Sequence, residues 1–194
     1  MILASQSPRR IDILRQVGIE PDVRPQDIDE TPLAGEHPKA MVARLAQMKA
    51  DAAAESTTRA DEGQIIVAAD TIVWMDDVEF GKPVDDEDAA RMLRLLSGRT
   101  HHVTTGVAVV KLGEWGVPER RARFTTTTDV TFFDLTDEEI AAYVATGEPR
   151  DKAGAYGYQA GGCTLVRRIN GDYYNVVGLP IGHLLRVLAK FGRA

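Results

Sequence analysis

Cysteine is nearly absent from this 194-residue chain: Cys163 stands alone, so neither an internal disulfide framework nor a cysteine zinc site can form. Its place after glycines in a strand-like stretch reads as packing rather than nucleophilic chemistry. Long apolar runs are also missing. Nothing approaches the ~20 residues that span a bilayer, and the first apolar run breaks at Ser5, so neither a transmembrane helix nor a signal peptide is expected. The chain therefore reads as cytoplasmic, with no membrane partner. The four histidines (His37, His101, His102, His183) show no HxxxH or HExxH spacing. His101 and His102 are neighbours on a strand and face opposite ways, which argues against a shared metal. Gly81-Lys82-Pro83 lacks the spacing and the Ser/Thr of a Walker A loop. Repeats, a clear linker and a long basic stripe are absent as well. The net charge of −6 disfavours long nucleic acid, so a phosphate-bearing partner would need positive charge focused at one place.

What is present is an ordinary globular composition, 44% hydrophobic and 27% charged, in a length that suits one domain or one domain in two lobes. The chain opens Met1-Ile2-Leu3-Ala4-Ser5-Gln6-Ser7-Pro8-Arg9-Arg10, which reads as short strand, tight loop and helix, with Ser7 as N-cap and Pro8 at the first helical position. Arg9 and Arg10 then fall in the first helical turn, where the macrodipole disfavours each cation by roughly 0.3–1 kcal/mol. Two hydroxyls and two guanidiniums at a helix N-terminus make sense around a phosphate; the plainer alternative is a solvated basic turn neutralised by Asp12.

A helix is expected to Val17, closed by Gly18, then a strand near Asp22-Val23-Arg24 and an acidic loop, Asp27 to Pro32, whose three carboxylates are either metal ligands or solvated surface. The next helix runs from Pro38 to Glu55 with Met41, Leu45, Met48 and Ala52 on one face. Lys49 lies inside or at the edge of that stripe, where a lysine either snorkels or delivers an ammonium to a buried anion site. Ile65 to Ala69 reads as a central strand ending in Asp70; an unpaired carboxylate there would be too expensive, and strand ends are where α/β sheets bind ligands. After Thr71, a second segment runs to Met75, with a turn at Asp76-Asp77 and a helix over Asp85 to Leu96. Two long strands, His102 to Leu112 and Ala122 to Phe133, flank a mobile loop. Thr136 and Glu139 form a capping box for a helix closing at Gly147. The glycine-rich stretch Asp151 to Gly162 either lets backbone approach a ligand, with Tyr156, Tyr158 and Gln159 at hand, or simply connects. Cys163 to Ile169 and Tyr173 to Val176 read as a hairpin around Asn170-Gly171, and a last helix follows Pro180 to about Phe191.

Seven motifs in order, covering nearly the whole chain, resemble the Maf family of nucleotide pyrophosphatases, the septum formation inhibitor proteins. They are Ala4 to Arg10, Arg44 to Ala50, Ala69-Asp70-Thr71-Ile72-Val73, Gly81-Lys82-Pro83, Leu96 to His101, Asp151 to Gly157 and Val177 to Pro180. The resemblance implies an α/β fold like that of inosine triphosphate pyrophosphatases: an elongated, twisted mixed sheet with flanking helices, two lobes around a cleft, one domain over residues 1–194 without a separate linker. It implies hydrolysis of nucleoside triphosphates between the α and β phosphates, with Mg²⁺ or Mn²⁺, releasing nucleoside monophosphate and pyrophosphate. Asp70 matches the family's proton acceptor; Ser5, Arg10, Glu30, Lys49 and Lys82 match its phosphate- and metal-side positions, with Asp70 and Glu30 on the metal. Arg9, Thr71 and Gln159 match the branch acting on dTTP and UTP. Tyr158-Gln159-Ala160-Gly161-Gly162 departs from the usual Ile-Gln-Gly string, which leaves modified pyrimidines open as substrates. A homodimer is also implied. The competing reading is a nucleotide-sensing regulator of cell division that acts by binding a partner.

Overall fold

The computed structural model describes residues 1–192. Among them the strands are β1 (Ile2–Leu3), β2 (Asp22–Val23), β3 (Ile65–Met75), β4 (Val78–Phe80), β5 (Thr100–Leu112), β6 (Pro118–Phe132) and β7 (Val166–Asn170). The helices are α1 (Pro8–Gln16), α2 (Pro38–Glu55), α3 (Asp86–Leu96), α4 (Asp137–Ala145), α5 (Tyr173–Val177) and α6 (Ile181–Lys190). The strands form an open mixed sheet in the order β2-β1-β3-β5-β6-β7, with β4 paired to β3. The α/β expectation holds. The chain divides into two compact units, the first built from Met1–Asp70, Thr105–Thr126 and Gly178 onward, the second from Thr71–Thr104 and Thr127–Val177.

In the first unit β1 pairs in parallel with both β2 and β3, and its two side chains, Ile2 and Leu3, are fully buried. Ala46, Ala50 and Ala53 of α2 pack with Ile2, Ile66, Ala68, Ala108 and Val110, so small residues bring the helix close to the strands. The approach is tightest at Gly106 of β5, where a Cβ would stand 2.3 Å from the Val42 carbonyl oxygen. That contact fixes how α2 lies, and with it where Lys49 points.

In the second unit Val73, Met75 and Phe80 join Ala89, Met92, Leu93 and Leu96 of α3 and Ile140, Tyr143 and Val144 of α4 in one core with Val103, Val130 and Phe132. The β3–β4 connection carries Asp76 and Asp77 at φ 53° and 61°, the left-handed pair that a two-residue hairpin requires. Asp85 caps α3 through the Asp88 amide at 2.8 Å, and the Thr136–Glu139 capping box opens α4 as expected.

Four expectations need correction. First, β3 does not end at Asp70 but runs unbroken from Ile65 to Met75; β1 pairs with it at Ile66 and Val67 and β4 at Val73 to Met75, with β5 as its other neighbour in the sheet. Second, the Asn170-Gly171 hairpin does not form: Asp172 Oδ1 accepts the amides of Tyr174 and Asn175 at 2.8 and 3.3 Å and starts α5. The buried Asn175 amide then donates to the Val103 carbonyl at 2.9 Å and to Thr128 Oγ1 at 3.0 Å, which holds the turn helical. Third, Cys163 is exposed in a 3-10 turn, Gly161–Leu165, rather than packed in a strand. Fourth, the connection from β5 to β6 is fastened: Thr57 Oγ1 donates to the Gly116 carbonyl at 2.8 Å, and Arg59 lies 4.4 Å above the Trp115 ring.

Candidate active site

The first turn of α1 begins as the proline and serine dictate, with Ser7 extended at the N-cap and Pro8 following, but the Ser7 side chain makes no capping bond. Ser5 Oγ instead accepts the Ser7 amide at 3.2 Å. It also accepts Arg10 Nη1 at 3.0 Å, while Arg10 Nε donates to the Gly178 carbonyl at 2.9 Å. Arg10 is thus folded back over its own N-terminal loop and is not a solvated surface cation. Burial lowers its pKa from the ordinary arginine value; Asp70 opposes that, Arg9 adds to it and Glu30 opposes it. Arg9, beside it, is half-buried.

Of the two fates open to Lys49, the structure shows delivery. Its ammonium stands 2.7 Å from Asp70 Oδ1 and 2.6 Å from Glu30 Oε1, with the lysine side chain 12% exposed, Asp70 16% and Glu30 59%. Such a pair survives low exposure because each charge has an opposite partner at contact distance. The acidic loop divides accordingly: Glu30 reaches Lys49, whereas Asp29 folds onto the Thr31 amide at 2.9 Å. Ser5, Arg10, Glu30, Lys49 and Asp70 are therefore linked within the first unit by contacts or by the charge interactions felt at Arg10.

The remaining expected residues belong to the second unit. Thr71 is the next residue of β3 and is half-buried. Lys82 is exposed in the Gly81-Lys82-Pro83 loop, which is tied to the glycine-rich stretch by the Gly154 amide donating to the Gly81 carbonyl at 3.0 Å. Gly154 takes φ 69° against Val73, where a Cβ would stand 2.9 Å from a methyl carbon, so only glycine fits the crossing. Gln159 is exposed in the turn that follows Tyr158.

Sequence reasoning missed the supports of this stretch. Tyr156, expected at hand for a ligand, is instead buried with its hydroxyl 2.8 Å from His101 Nε2, in edge-on contact with Phe132. Burial, with His102 adding to it, drives the His101 pKa down to about 3, so the ring is neutral; its Nδ1 is buried without a hydrogen-bond partner. Glu148 and Tyr143 hold the next segment from outside the motif. No local signal could have found them, because the partners of Glu148 lie on main chain 13 and 14 residues further on.

Among the described residues, no group of three or more His, Cys, Asp or Glu side chains is placed to hold a metal ion. Asp70 and Glu30 do converge on one ammonium, however, and Mg²⁺ is commonly held by one or two carboxylates with substrate phosphates completing its shell. The donor set therefore fits a divalent cation that arrives with a nucleotide. No described helix is long and apolar enough to cross a membrane.

The family profile described as Maf-like protein matches residues 1–191. The chain belongs to the Maf family. Its relatives include a protein of Nitratidesulfovibrio vulgaris, 48% identical over 99% of this chain and 88% of the relative, and one of Geobacter sulfurreducens, 48% identical over 99% and 96%. A third, of Bacillus mycoides, is 45% identical over 98% of this chain and 95% of its own length. Each of these Maf relatives is named dTTP/UTP pyrophosphatase. A pyrophosphatase family of this kind suggests a divalent metal, which agrees with the two converging carboxylates.

Proposed function

We propose that this chain is a nucleoside triphosphate pyrophosphatase that hydrolyses dTTP, UTP and modified pyrimidine analogues between the α and β phosphates, acting as one domain over residues 1–194. One observation carries the reading: a lysine largely withdrawn from water grips Asp70, with Arg10 facing the same carboxylate, in a chain whose relatives bear that name. In the reaction, a water oxygen forms the new bond to the α phosphorus and the bond from that phosphorus to the bridging oxygen breaks. The bonding pair leaves with pyrophosphate, and Asp70 takes the proton from the water. The Lys49 ammonium, 2.7 Å from Asp70 Oδ1, holds that carboxylate in place for the water. Arg10, Lys49 and Lys82, with Ser5 donating its hydroxyl, balance the charge that builds on the departing pyrophosphate. Asp70 and Glu30 would hold Mg²⁺ or Mn²⁺, which polarises phosphate oxygens when bound. Arg9, Thr71 and Gln159 are assigned to pyrimidine selection. Residence in the cytoplasm and assembly as a homodimer belong to the same proposal.

The regulator alternative uses the same residues for binding alone, so turnover separates the two. Asp70→Asn should bind dTTP within a few-fold of the unaltered protein, melt at a similar temperature, and release pyrophosphate about 10²–10⁴-fold more slowly, the range a proton acceptor supplies. Normal turnover by that variant contradicts the assignment of Asp70 and the mechanism built on it.

A further inference from the structure

Between Gly147 and Leu165 the chain is a succession of 3-10 turns, Glu148–Asp151, Ala153–Ala155 and Gly161–Leu165. A stretch without a ladder or a long helix takes its shape from individual contacts, and here one carboxylate supplies several. Glu148 Oε1 accepts the Tyr143 hydroxyl at 3.0 Å, and Oε2 accepts the Gly161 amide at 2.9 Å. The Gly162 amide lies 3.4 Å from Oε1. The Tyr143 oxygen, whose O–H donates to Glu148, accepts the Gly157 amide at 3.2 Å. A closed ring results, running from Glu148 through Tyr143 to Gly157 and back through Gly161 and Gly162. The residues enclosed between those anchor points are Tyr158, Gln159 and Ala160. Gln159 itself is exposed, so the loop is clamped at both ends while its amide side chain stays available.

The glycines are part of the device. A Cβ on Gly161 would stand 3.0 Å from Glu148 Oε2, and one on Gly162 would stand 2.8 Å from the Tyr143 oxygen and 2.4 Å from the Gly157 carbonyl oxygen. Both glycines lie in the string where this chain departs from the usual pyrimidine-branch pattern. Burial, and after it the neighbouring carboxylates Glu148 and Asp151, raise the Tyr143 pKa although the Gly157 amide opposes them, so the phenol keeps its proton.

We propose that Glu148 and Tyr143 are positioning residues for nucleotide selection, a clamp that sets where Gln159 stands and thereby sharpens the preference for dTTP and UTP. The proposal rests on the reading of Gln159 as a base-selecting residue. Glu148→Gln replaces one acceptor oxygen with an NH₂ group, and Tyr143→Phe leaves the Gly157 amide and Glu148 Oε1 each without that partner. Each variant should raise KM for dTTP about tenfold, the worth of one hydrogen bond of about 1.4 kcal/mol. Each should also narrow the kcat/KM gap between dTTP and CTP, with kcat for dTTP within about threefold. The double variant should cost less than the product of the two, because both open the same ring. A purely structural role would lower the active fraction alike for every nucleotide and leave KM and the dTTP-to-CTP ratio in place; that result overturns the clamp.

Gln159→Ala run alongside distinguishes the two levels. If it narrows the dTTP-to-CTP gap while neither clamp variant does, the clamp is overturned and the role of Gln159 stands. If it leaves the gap unchanged, the role of Gln159 falls and the clamp falls with it. Hydrogen exchange on the unaltered protein gives a reading that needs no variant to fold: the Gly157 and Gly161 amides should exchange slowly, and free exchange at both overturns the proposal.

Discussion

In the first unit the chemistry-bearing side chains hold one another: Lys49 bridges Asp70 and Glu30, and Arg10 rests on Ser5. In the second unit the comparable residues do not meet; Lys82 and Gln159 are exposed on loops shaped by supports behind them, the His101–Tyr156 contact and the ring around Glu148. The contrast matches two chemical demands. Charge that must act on a polyanion is kept strong by partners of opposite sign in partial burial, whereas a group that reads a base needs a fixed loop and an unoccupied amide. Changes at the paired charges Lys49 and Asp70 should therefore strike turnover, and changes at Gln159 or at the supports behind it should strike selectivity or stability.

The largest expected break of that contrast is Lys49→Met. It leaves Asp70 and Glu30 without their shared cation, and kcat for pyrophosphate release should fall about 10²–10³-fold, the range for removing one preorganised charge-stabilising donor. A fall confined to KM would place Lys49 in binding alone.

Next comes the pH dependence of stability in the second unit. His101 titrates at about 3 when folded against roughly 6.5 when unfolded, so the unfolded chain takes up the proton first. The stability it contributes is complete above pH ~6.5 and drains as pH falls toward 3, by at most about 1.4 kcal/mol per pH unit. Urea unfolding between about pH 7.5 and about pH 5.5, one unit either side of that ordinary value, should show the slope in the unaltered protein. In His101→Leu that component should be missing, over a uniform loss of about 1–3 kcal/mol for the Tyr156 hydroxyl left alone. An identical slope in both proteins would remove His101 from the account.

A smaller test compares two helix starts. Thr136 receives the Glu139 amide at 3.2 Å, so Thr136→Ala should cost about 1 kcal/mol. The Ser7 side chain makes no capping bond, and Ser7→Ala should stay within about 0.5 kcal/mol. Equal losses in thermal or urea unfolding would contradict the difference between these two N-termini.

Legibility followed locality. The bounds of α2 were readable to the residue because Pro38 and the absence of glycine are local; the expected stripe held at Met41 and Leu45, but Val42, Ala46, Ala50 and Ala53 are buried in place of Met48 and Ala52. Lys49 could be flagged from its helical angle. The fate of Lys49 could not, since Glu30 and Asp70 reach it from a loop 19 residues before and a strand 21 residues after. The break expected in β3 came from two polar residues in an apolar run; the strand is unbroken beside β5, a neighbour invisible in a single segment. Asn170-Gly171 offered a strong local hairpin signal, and the helical turn of α5 won through Asp172 and through Thr128, 47 residues from Asn175. The clamp on Gln159 is distant in the same sense: a glutamate after a helix end has no signature until the glycines return to it.

The most direct test of the central claim is pyrophosphate release by the unaltered protein with Mg²⁺ or Mn²⁺ across dTTP, UTP, CTP, ATP, GTP and 5-methyl-UTP. The account predicts rapid release of one pyrophosphate per nucleotide from dTTP and UTP and slow release from the purines. Binding of dTTP or UTP without pyrophosphate release would contradict it and leave a sensor in place of an enzyme.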